Sequence, residues 1–205
     1  MSSSDASDPH AWLHPRRLSK PGGRRAQAVA DHGGVLVVQR LVFDGNPLPH
    51  DVFVFEASDW CNVLAETPSF ELVLVWQYRF GSDALSLEVP GGVIDPGEAP
   101  EAAARRELRE ETGYVADAME LVSVVEPNPA LQGNRCFTYL ARGVRATGQT
   151  AFDTLEDLET VLVPRESIAS LIDDGVVTHA LVVVALEAYL RKHGARAEPR
   201  STAAP

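Results

Sequence analysis

Three glutamates near the middle of the chain have the type and spacing needed to hold a divalent metal ion. Glu107, Glu110 and Glu111 lie in a run of strong helix formers, and positions three and four apart share one helix face. Like charges at this spacing destabilise an isolated helix, so the cluster needs a compensating charge. Mg²⁺ takes oxygen ligands, usually one or two carboxylates together with waters and substrate phosphates. The cluster therefore predicts a magnesium site, with a merely solvated acidic face as the alternative.

The residues around these glutamates favour a metal platform. Asp95-Pro96-Gly97 predicts a tight turn, and Glu98 follows it near the same end of the helix. Arg106 precedes Glu110 by four residues and is expected to hold that carboxylate in place. The opposite side of the helix offers an apolar strip for packing on a sheet, formed by Ala104 and Leu108.

The full pattern from Gly92 to Tyr114 resembles the Nudix box, G-x5-E-x7-R-E-U-x-E-E-x-G-U, where U is a bulky apolar residue. The matching positions are Gly92, Glu98, Arg106, Glu107, Leu108, Glu110, Glu111 and Gly113, with Tyr114 in the last apolar slot. Seven fixed positions at roughly 6% usage each make a chance match on the order of one in a million chains. The strand order on either side of the box is also similar to that of a Nudix domain.

This resemblance implies a fold, a reaction and a set of ligands. Nudix enzymes are Mg²⁺- or Mn²⁺-dependent hydrolases of nucleoside diphosphates linked to another moiety, with an α/β/α sandwich fold and a mixed β-sheet. By resemblance, Glu107 and Glu111 are direct metal ligands, with Glu110 beside them. Glu98 is a ligand partly through water, and the backbone carbonyl of Gly91 matches a further ligand position. A divalent ion in such a site neutralises phosphate charge and makes water a usable nucleophile near neutral pH.

Motifs outside the box resemble the branch that hydrolyses ADP-ribose and nucleotide sugars. The matching segments are Gln77-Tyr78-Arg79, Glu88-Val89-Pro90-Gly91-Gly92, Pro129 sixteen residues after Gly113, residues 155–159 followed by 161–164, and residues 174–180. The branch implies hydrolysis of a diphosphate bond to give a nucleoside monophosphate and a sugar phosphate. Two alternatives stay open: another Nudix substrate, such as a nucleoside triphosphate or a dinucleoside polyphosphate, and a non-catalytic nucleotide-sugar sensor.

Several residues outside the box are candidates for substrate binding. Arg79 is expected to clamp a phosphate through charge-assisted hydrogen bonds, or to be a surface cation at a strand end. Glu88 is expected to take part in the site; the alternative is that it only pairs with a basic neighbour. Trp60 is a candidate for stacking on the base of the substrate, and Asn62 for a hydrogen bond to that base. The alternative is that both are simply half-buried residues of a sheet. His179 is expected to cap or pack at the start of a helix.

A second set of substrate-binding candidates lies in a turn-rich segment after the box. Pro129 occupies the position where the branch carries a proline, although Pro127-Asn128-Pro129 is also a plain turn sequence. Asn134 and Arg135 are candidates for contacting the sugar, with turn residues as the alternative.

The identity of the general base is open. Well-known members of the branch have two glutamates two residues apart in an acidic loop, and this chain has Thr154 and Glu156 there. Because threonine cannot act as a base, the candidates are Glu156, Glu159, or the box residues Glu110 and Glu111. Glu156 is also a candidate metal ligand.

The elements that would position these residues are mostly strands. β-branched and aromatic runs predict strands, and runs of Ala, Glu, Arg and Leu predict helices. The predicted strands cover residues 35–43, 52–55, 60–65, 71–78, 85–89, 121–125, 136–141 and 158–163, and the predicted helices cover 99–112, 167–172 and 178–192. Thr67-Pro68-Ser69 predicts a hairpin between the strands on either side of it. The order indicates an α/β layered domain rather than a repeated βαβ array.

Composition divides the chain into four segments. Residues 1–26 and 194–205 are polar or rich in Pro and Gly, and are predicted to be a disordered arm and tail. A small N-terminal subdomain of β-strands is predicted over residues 27–58. The Nudix hydrolase domain that the resemblance implies is expected over residues 59–193. Since the branch commonly forms homodimers through N-terminal strands, the resemblance implies a homodimer.

The charge balance of the 205-residue chain excludes several functions. Eighteen Lys and Arg against 29 Asp and Glu give a net charge of −11, which argues against nucleic-acid or anionic-membrane binding. There is neither an apolar run of membrane-spanning length nor an apolar secretory segment at the N-terminus. Cys61 and Cys136 provide no disulfide framework, so a reducing cytoplasm is the simplest compartment. The expected partner, which the resemblance to the nucleotide-sugar branch implies, is a small-molecule nucleotide sugar.

Overall fold

The computed structural model describes residues 25–31, 37–42, 52–148 and 158–193, and the chain divides into two compact units. The first unit, Met1–Phe55, contains a sheet in the order β1-β2-β3. Its strands are β1 (Arg25–Asp31), β2 (Val37–Val42) and β3 (Val52–Glu56), with β1 and β2 antiparallel. β2 and β3 coincide with predicted strands. β1 was not predicted as a strand, because its sequence RAQAVAD contains a single β-branched residue.

The predicted arm and tail fall largely outside the described residues, which begin at residue 25 and end at residue 193. β1 begins at Arg25, two residues inside the predicted arm. The division of the chain into four segments therefore stays a prediction.

The second unit, Glu56–Pro205, contains two larger sheets with helices packed on them. The described elements are β4 (Trp60–Ala65), β5 (Glu71–Arg79), β6 (Ala84–Glu88), β7 (Gly91–Val93), α1 (Pro100–Thr112), β8 (Tyr114–Val115), β9 (Ala118–Val125), β10 (Cys136–Arg142), β11 (Arg145–Ala146), β12 (Leu158–Pro164), a 3₁₀ turn (Arg165–Ser167), α2 (Ile168–Asp173) and α3 (Ala180–His193). One sheet has the order β7-β4-β10-β9, and β4 and β10 are its parallel pair. The other has the antiparallel order β12-β5-β6, and β8 pairs with β11.

β4 and β5 do not form the predicted hairpin. β4 pairs with β10 and β7, whereas β5 pairs with β12 and β6 in the other sheet. An isolated bridge between Glu66 and Leu72 joins the ends of the two segments. Turn residues predict that the chain reverses, but burial decides which strands pair. Both strands are largely buried, so each takes partners on both edges inside its own sheet.

Alternate residues of the central strands face different helices, because successive side chains of a strand point to opposite faces. One buried cluster joins the strands to α1 and includes Cys61, Val63, Ala65, Val73, Ala103, Ala104 and Leu108. A second cluster joins them to α2 and α3 and includes Leu64, Leu72, Leu74, Ile168, Ala185, Leu186 and Tyr189. The arrangement is an α/β/α sandwich with a mixed sheet, which confirms the predicted fold class.

The helix that carries the glutamate cluster begins and ends where the sequence predicts. Pro100 occupies its first turn, where the missing N–H costs nothing. Gly113 follows its last residue with a φ of 71° and donates its N–H to the Arg109 carbonyl at 2.9 Å. In the described part of the chain, no helix has both the length and the apolar character needed to cross a membrane.

Candidate active site

A cleft of about 1140 Å³ opens in the second unit, and its walls come from β4 to β7, α1 and the start of α3. The predicted site residues that line it are Trp60, Asn62, Arg79, Glu88, Gly91, Glu107, Glu110 and Glu111. The fold thus gathers residues from before, within and after the glutamate-rich helix into one cavity. Its size suits a small-molecule ligand.

The three clustered glutamates point into this cleft from a single turn of α1. Glu107 and Glu111 are buried, with 9% and 4% of their surface exposed, and Glu110 is half-buried. The backbone N–H of Gly91, on β7, donates a hydrogen bond to Oε2 of Glu111 at 2.9 Å. Buried carboxylates on one turn are costly unless they are paired, so their position indicates a role beyond a solvated helix face.

Arg106 supplies the positive charge that balances this cluster. Its guanidinium donates to Glu98 at 2.9 and 3.1 Å, to Glu107 at 2.8 Å and to Glu110 at 3.4 Å. It also donates to the carbonyl of Val93 at 3.1 Å. Hydrogen bonding to Arg106 lowers the pKa of Glu98, and the same bond raises the pKa of Arg106. The predicted link to Glu110 is therefore the longest of several, and Glu98 itself does not line the cleft.

Two adjacent glycines let β7 approach the helix closely. A Cβ atom on Gly92 would lie 2.6 Å from Oε1 of Glu107, and one on Gly91 would lie 2.1 Å from the carbonyl oxygen of Cys61. Real Cβ atoms do not come so near to other atoms. The two glycines are therefore required for the contact between this strand, its neighbour β4 and the Glu107 carboxylate.

The donor groups at this end of the cleft are oxygens, which suits a hard divalent cation such as Mg²⁺. Glu107, Glu110, Glu111 and the backbone of Gly91 all line the cavity. Over residues 25–31, 37–42, 52–148 and 158–193, no three acidic, histidine or cysteine side chains converge closely enough to hold an ion as they stand. Glu107 and Glu110 bond to Arg106, and Glu111 bonds to the Gly91 N–H. The residues fit the ion in type, and these carboxylates would have to exchange their present partners to bind it.

A second charged group lines the same cleft. The Glu88 carboxylate, with 2% of its surface exposed, accepts two parallel hydrogen bonds from Arg79, both of 2.8 Å. Nδ1 of His179 lies 2.8 Å from Oε2 of Glu88. Burial alone would raise the pKa of Glu88, but the hydrogen bonds and charges of Arg79 and His179 hold it well below its usual range. Glu88 is therefore ionised, and both neighbours are held by it.

The other predicted substrate-binding residues divide into two groups. Trp60 and Asn62 line the cleft, and the Asn62 amide donates to the carbonyl of Leu181 at 3.3 Å. Pro129, Asn134 and Arg135 do not line it.

Those three residues lie in the segment between β9 and β10. Pro129 is exposed in a turn. The buried Asn134 amide donates to the Ser58 carbonyl at 2.8 Å. Arg135 pairs with Asp59 at 2.8 Å, and its guanidinium lies over the Phe137 ring.

The candidates for the general base are only partly described. Glu156 lies outside the described residues. Glu159 is exposed on β12 and does not line the cleft, whereas Glu110 and Glu111 do.

His179 belongs to the cleft in a way that the sequence did not predict. It directly precedes α3, as expected, and its carbonyl accepts the Val183 N–H at 2.9 Å. Its side chain, however, lines the cavity and bonds to Glu88. The sequence signals that could have indicated this are the polar Thr178-His179 pair before an apolar helix and the match of residues 174–180 to the branch.

Comparison with known families identifies the class. A NUDIX domain model matches residues 58–184, more than half of the chain, so the protein belongs to the Nudix family. This confirms the resemblance seen in the sequence. Nudix hydrolases generally use a divalent metal ion.

Two curated relatives are similar over the same region. A CMP-5'-(N-acetyl-N-hydroxy-3-aminopropyl)phosphonate hydrolase from Streptomyces rubellomurinus is 30% identical over 128 residues, which cover 62% of each chain. The ADP-ribose pyrophosphatase of Bacillus subtilis is 28% identical over 137 residues, covering 66% of this chain and 74% of the relative. The matched region thus spans between about three fifths and three quarters of these proteins.

A solved structure described as an ADP compounds hydrolase has a similar fold. It superposes with a TM-score of 0.72 at 22% sequence identity, and the match covers 87% of this chain and all of that one. At this identity the likeness establishes the fold alone, and it agrees with the α/β/α sandwich described above.

Proposed function

We propose that the protein hydrolyses the diphosphate bond of a nucleoside diphosphate sugar such as ADP-ribose, giving a nucleoside monophosphate and a sugar phosphate. The observation that carries this proposal is that one cleft is lined both by Glu107, Glu110 and Glu111 and by the cationic side chain of Arg79. Carboxylates and a guanidinium in the same cleft suit a ligand that is bound through metal and phosphate together. The names of the relatives, which include an ADP-ribose pyrophosphatase, support the same substrate class.

The ion that the carboxylates would hold is Mg²⁺, with Mn²⁺ as a substitute. Glu107 and Glu111 would be direct ligands, together with the Gly91 carbonyl, while Glu110 and Glu98 lie around them. When bound, such an ion neutralises phosphate charge and lowers the pKa of water enough for it to act as a nucleophile. Glu156 is the further ligand that the resemblance implies.

The chain's own residues would orient the substrate. Arg79 binds phosphate through its guanidinium, which keeps 44% of its side-chain surface exposed although Glu88 holds it. Trp60 stacks on the base, and Asn62 lies beside it on the same strand. Pro129, Asn134 and Arg135 have no part in this cleft as the proposal stands.

Proton removal from the attacking water needs a carboxylate near the reacting phosphorus. Glu159 does not line the cleft, so the residue that removes the proton would be Glu156 or one of the box residues Glu110 and Glu111. Positioning and charge neutralisation would supply most of the rate enhancement.

A substrate panel with product analysis tests the proposal. ADP-ribose, a nucleoside diphosphate hexose, a nucleoside triphosphate and a dinucleoside polyphosphate are incubated with the protein and Mg²⁺, and the phosphorylated products are separated. We expect the first two to give nucleoside monophosphate and sugar phosphate. Preferred cleavage of the triphosphate or the dinucleotide would change the substrate class. Tight binding without hydrolysis would indicate a sensor.

Removal of one carboxylate provides the residue-level control for that panel. Glu111→Gln is expected to lower kcat by about 10²-fold or more, because a single metal ligand is lost, while the melting temperature changes little. Glu101→Gln, which alters an exposed glutamate of the same helix, should leave kcat unchanged. Equal activity of the Glu111 variant and the wild type would refute the metal assignment.

We further propose an oligomeric state and a cellular compartment for the protein. The N-terminal strands are proposed to form the contact of a homodimer. The cytoplasm is the proposed compartment, supported by Cys61 and Cys136, which are both buried as free thiols.

A further inference from the structure

The Glu88 carboxylate links two side chains that come from distant parts of the chain. Arg79 lies at the end of β5 and His179 just before α3, and each is 2.8 Å from a Glu88 oxygen. All three residues line the cleft. A buried carboxylate with two such partners is well compensated, and it fixes the orientation of both.

The hydrogen bond at Nδ1 determines what the rest of the His179 ring can do. Because an ionised carboxylate only accepts hydrogen bonds, Nδ1 carries a proton and donates it to Glu88. Over the described residues, Nε2 of His179 has no hydrogen-bond partner, and 37% of the side-chain surface is exposed. The Nε2 edge of the ring is therefore free for a ligand in the cleft.

We infer that His179, together with Arg79, binds the diphosphate of the substrate, and that Glu88 positions both residues. The inference rests on the proposed hydrolysis of a nucleotide diphosphate bond. With Nδ1–H held by Glu88, a proton on Nε2 would be donated to a phosphoryl oxygen of a ligand in the cleft.

Substitutions of His179 can separate this role from support of Glu88. Asparagine places an amide near the position of Nδ1, so it can keep the bond to Glu88, but it lacks the Nε2 edge. Glutamine reaches the Nε2 position without the bond to Glu88. His193→Gln removes the imidazole at the last residue of α3, which does not line the cleft, and serves as the matched control.

The experiment measures kcat and KM with the best substrate of the panel, and melting temperatures confirm that each variant is folded. We expect His179→Asn to raise KM about tenfold or more, as for a lost hydrogen bond to a charged group, with kcat within about threefold of wild type. His193→Gln should change neither constant. A His179→Asn variant with wild-type KM, or one that loses kcat alone, would overturn the inference.

A binding measurement separates failure of this inference from failure of the proposed function. Calorimetric titration of ADP-ribose in EDTA is carried out on the wild type, His179→Asn and His179→Gln. If the wild type hydrolyses nothing in the panel, the proposed function fails, but weaker binding by His179→Asn, with His179→Gln nearer to the wild type, would still support the phosphate contact. Equal affinities in all three proteins, or no binding by the wild type, would overturn it.

Discussion

Arg106 stabilises the glutamate cluster by bonding to Glu107 and Glu110, and it also bonds to Glu98. It is partly buried, with 26% of its side-chain surface exposed, so these ion pairs are screened less than those on an open surface. To hold a metal ion, Glu107 would have to give up its bond to Arg106, and Glu111 its bond from the Gly91 N–H. We therefore expect metal binding to exchange one set of charge partners for another, without a large change in fold.

The glycine at position 92 controls the position of one carboxylate. Gly92→Ala places a Cβ atom 2.6 Å from Oε1 of Glu107, and the flexible carboxylate must move away. Since the obstacle is the end of a side chain, we expect little loss of stability. A displacement of about 1 Å in the site can reduce kcat by about 10²-fold. Steady-state kinetics and thermal unfolding of the variant test this, and wild-type kcat would contradict it.

Gly91→Ala, unlike Gly92→Ala, should act mainly by lowering the stability of the fold. The new Cβ atom would meet the backbone carbonyl of Cys61 at 2.1 Å, and backbone cannot move aside without disturbing the pairing of β4 and β7. We expect a loss of about 1–3 kcal/mol in the free energy of unfolding. Gly133→Ala is the matched control, because no atom lies within 4 Å of its Cβ position. Equal stability of the two alanine variants would refute the steric argument.

The ion pair of Glu88 gives stability a defined pH dependence. Its pKa in the folded protein is lowered below the ordinary value of 4.5, so ionised Glu88 stabilises the fold above that pH. This contribution is lost as the pH falls further. Glu88→Gln should cost about 1–3 kcal/mol near pH 7, and the difference from wild type should shrink below about pH 4.5. Urea unfolding from pH 7 to pH 3 measures it. A difference that stays constant over this range would contradict the prediction.

The end of α1 depends on a residue that can adopt a left-handed conformation. Gly113 has a φ of 71°, which costs about 1–2 kcal/mol for a residue with a Cβ atom. Gly113→Ala should therefore lower the free energy of unfolding by this amount. Gly113→Asn should cost less, because asparagine tolerates that conformation better. Chemical denaturation of both variants tests the order, and an alanine variant as stable as the asparagine variant would oppose it.

α1 and the start of α3 line the cleft from opposite layers of the sandwich. α1 contributes the carboxylates, whereas His179 just before α3 and Leu181 in its first turn line the cleft from the other side of the sheet. Each helix is held by its own buried cluster, one around Leu108 and the other around Leu186. The two charged groups of the cleft therefore rest on separate cores, and substitutions in one core should leave the other group in place.

For the chain as a whole, the residues that line the cleft all belong to the second unit, Glu56–Pro205. If the N-terminal strands form a dimer contact, the full chain should have about twice its 22.2 kDa mass in solution. A fragment that begins at Glu56 should then be a monomer. Light scattering coupled to size exclusion measures both masses, and a monomeric full-length chain would refute the proposed homodimer.

The local features of the fold could be predicted from the sequence alone. The shared face of Glu107 and Glu111 follows from the pitch of a helix, and the ends of α1 follow from Pro100 and Gly113, which act within one turn. The Nudix pattern is local for the same reason, since its contacts are made within about 23 residues. The layered α/β class followed from the alternation of strand and helix periods.

Contacts between distant segments required the folded protein. His179 and Glu88 are 91 residues apart, and nothing in either segment specifies the other, because their meeting depends on how α3 packs against the sheet. The pairing of β4 with β10 instead of β5 has the same origin: many strands satisfy the same local pattern, and burial of both faces selects among them. Short strands such as β7 carry too few residues to show a period, although the glycines of β7 bring its backbone up to the glutamates.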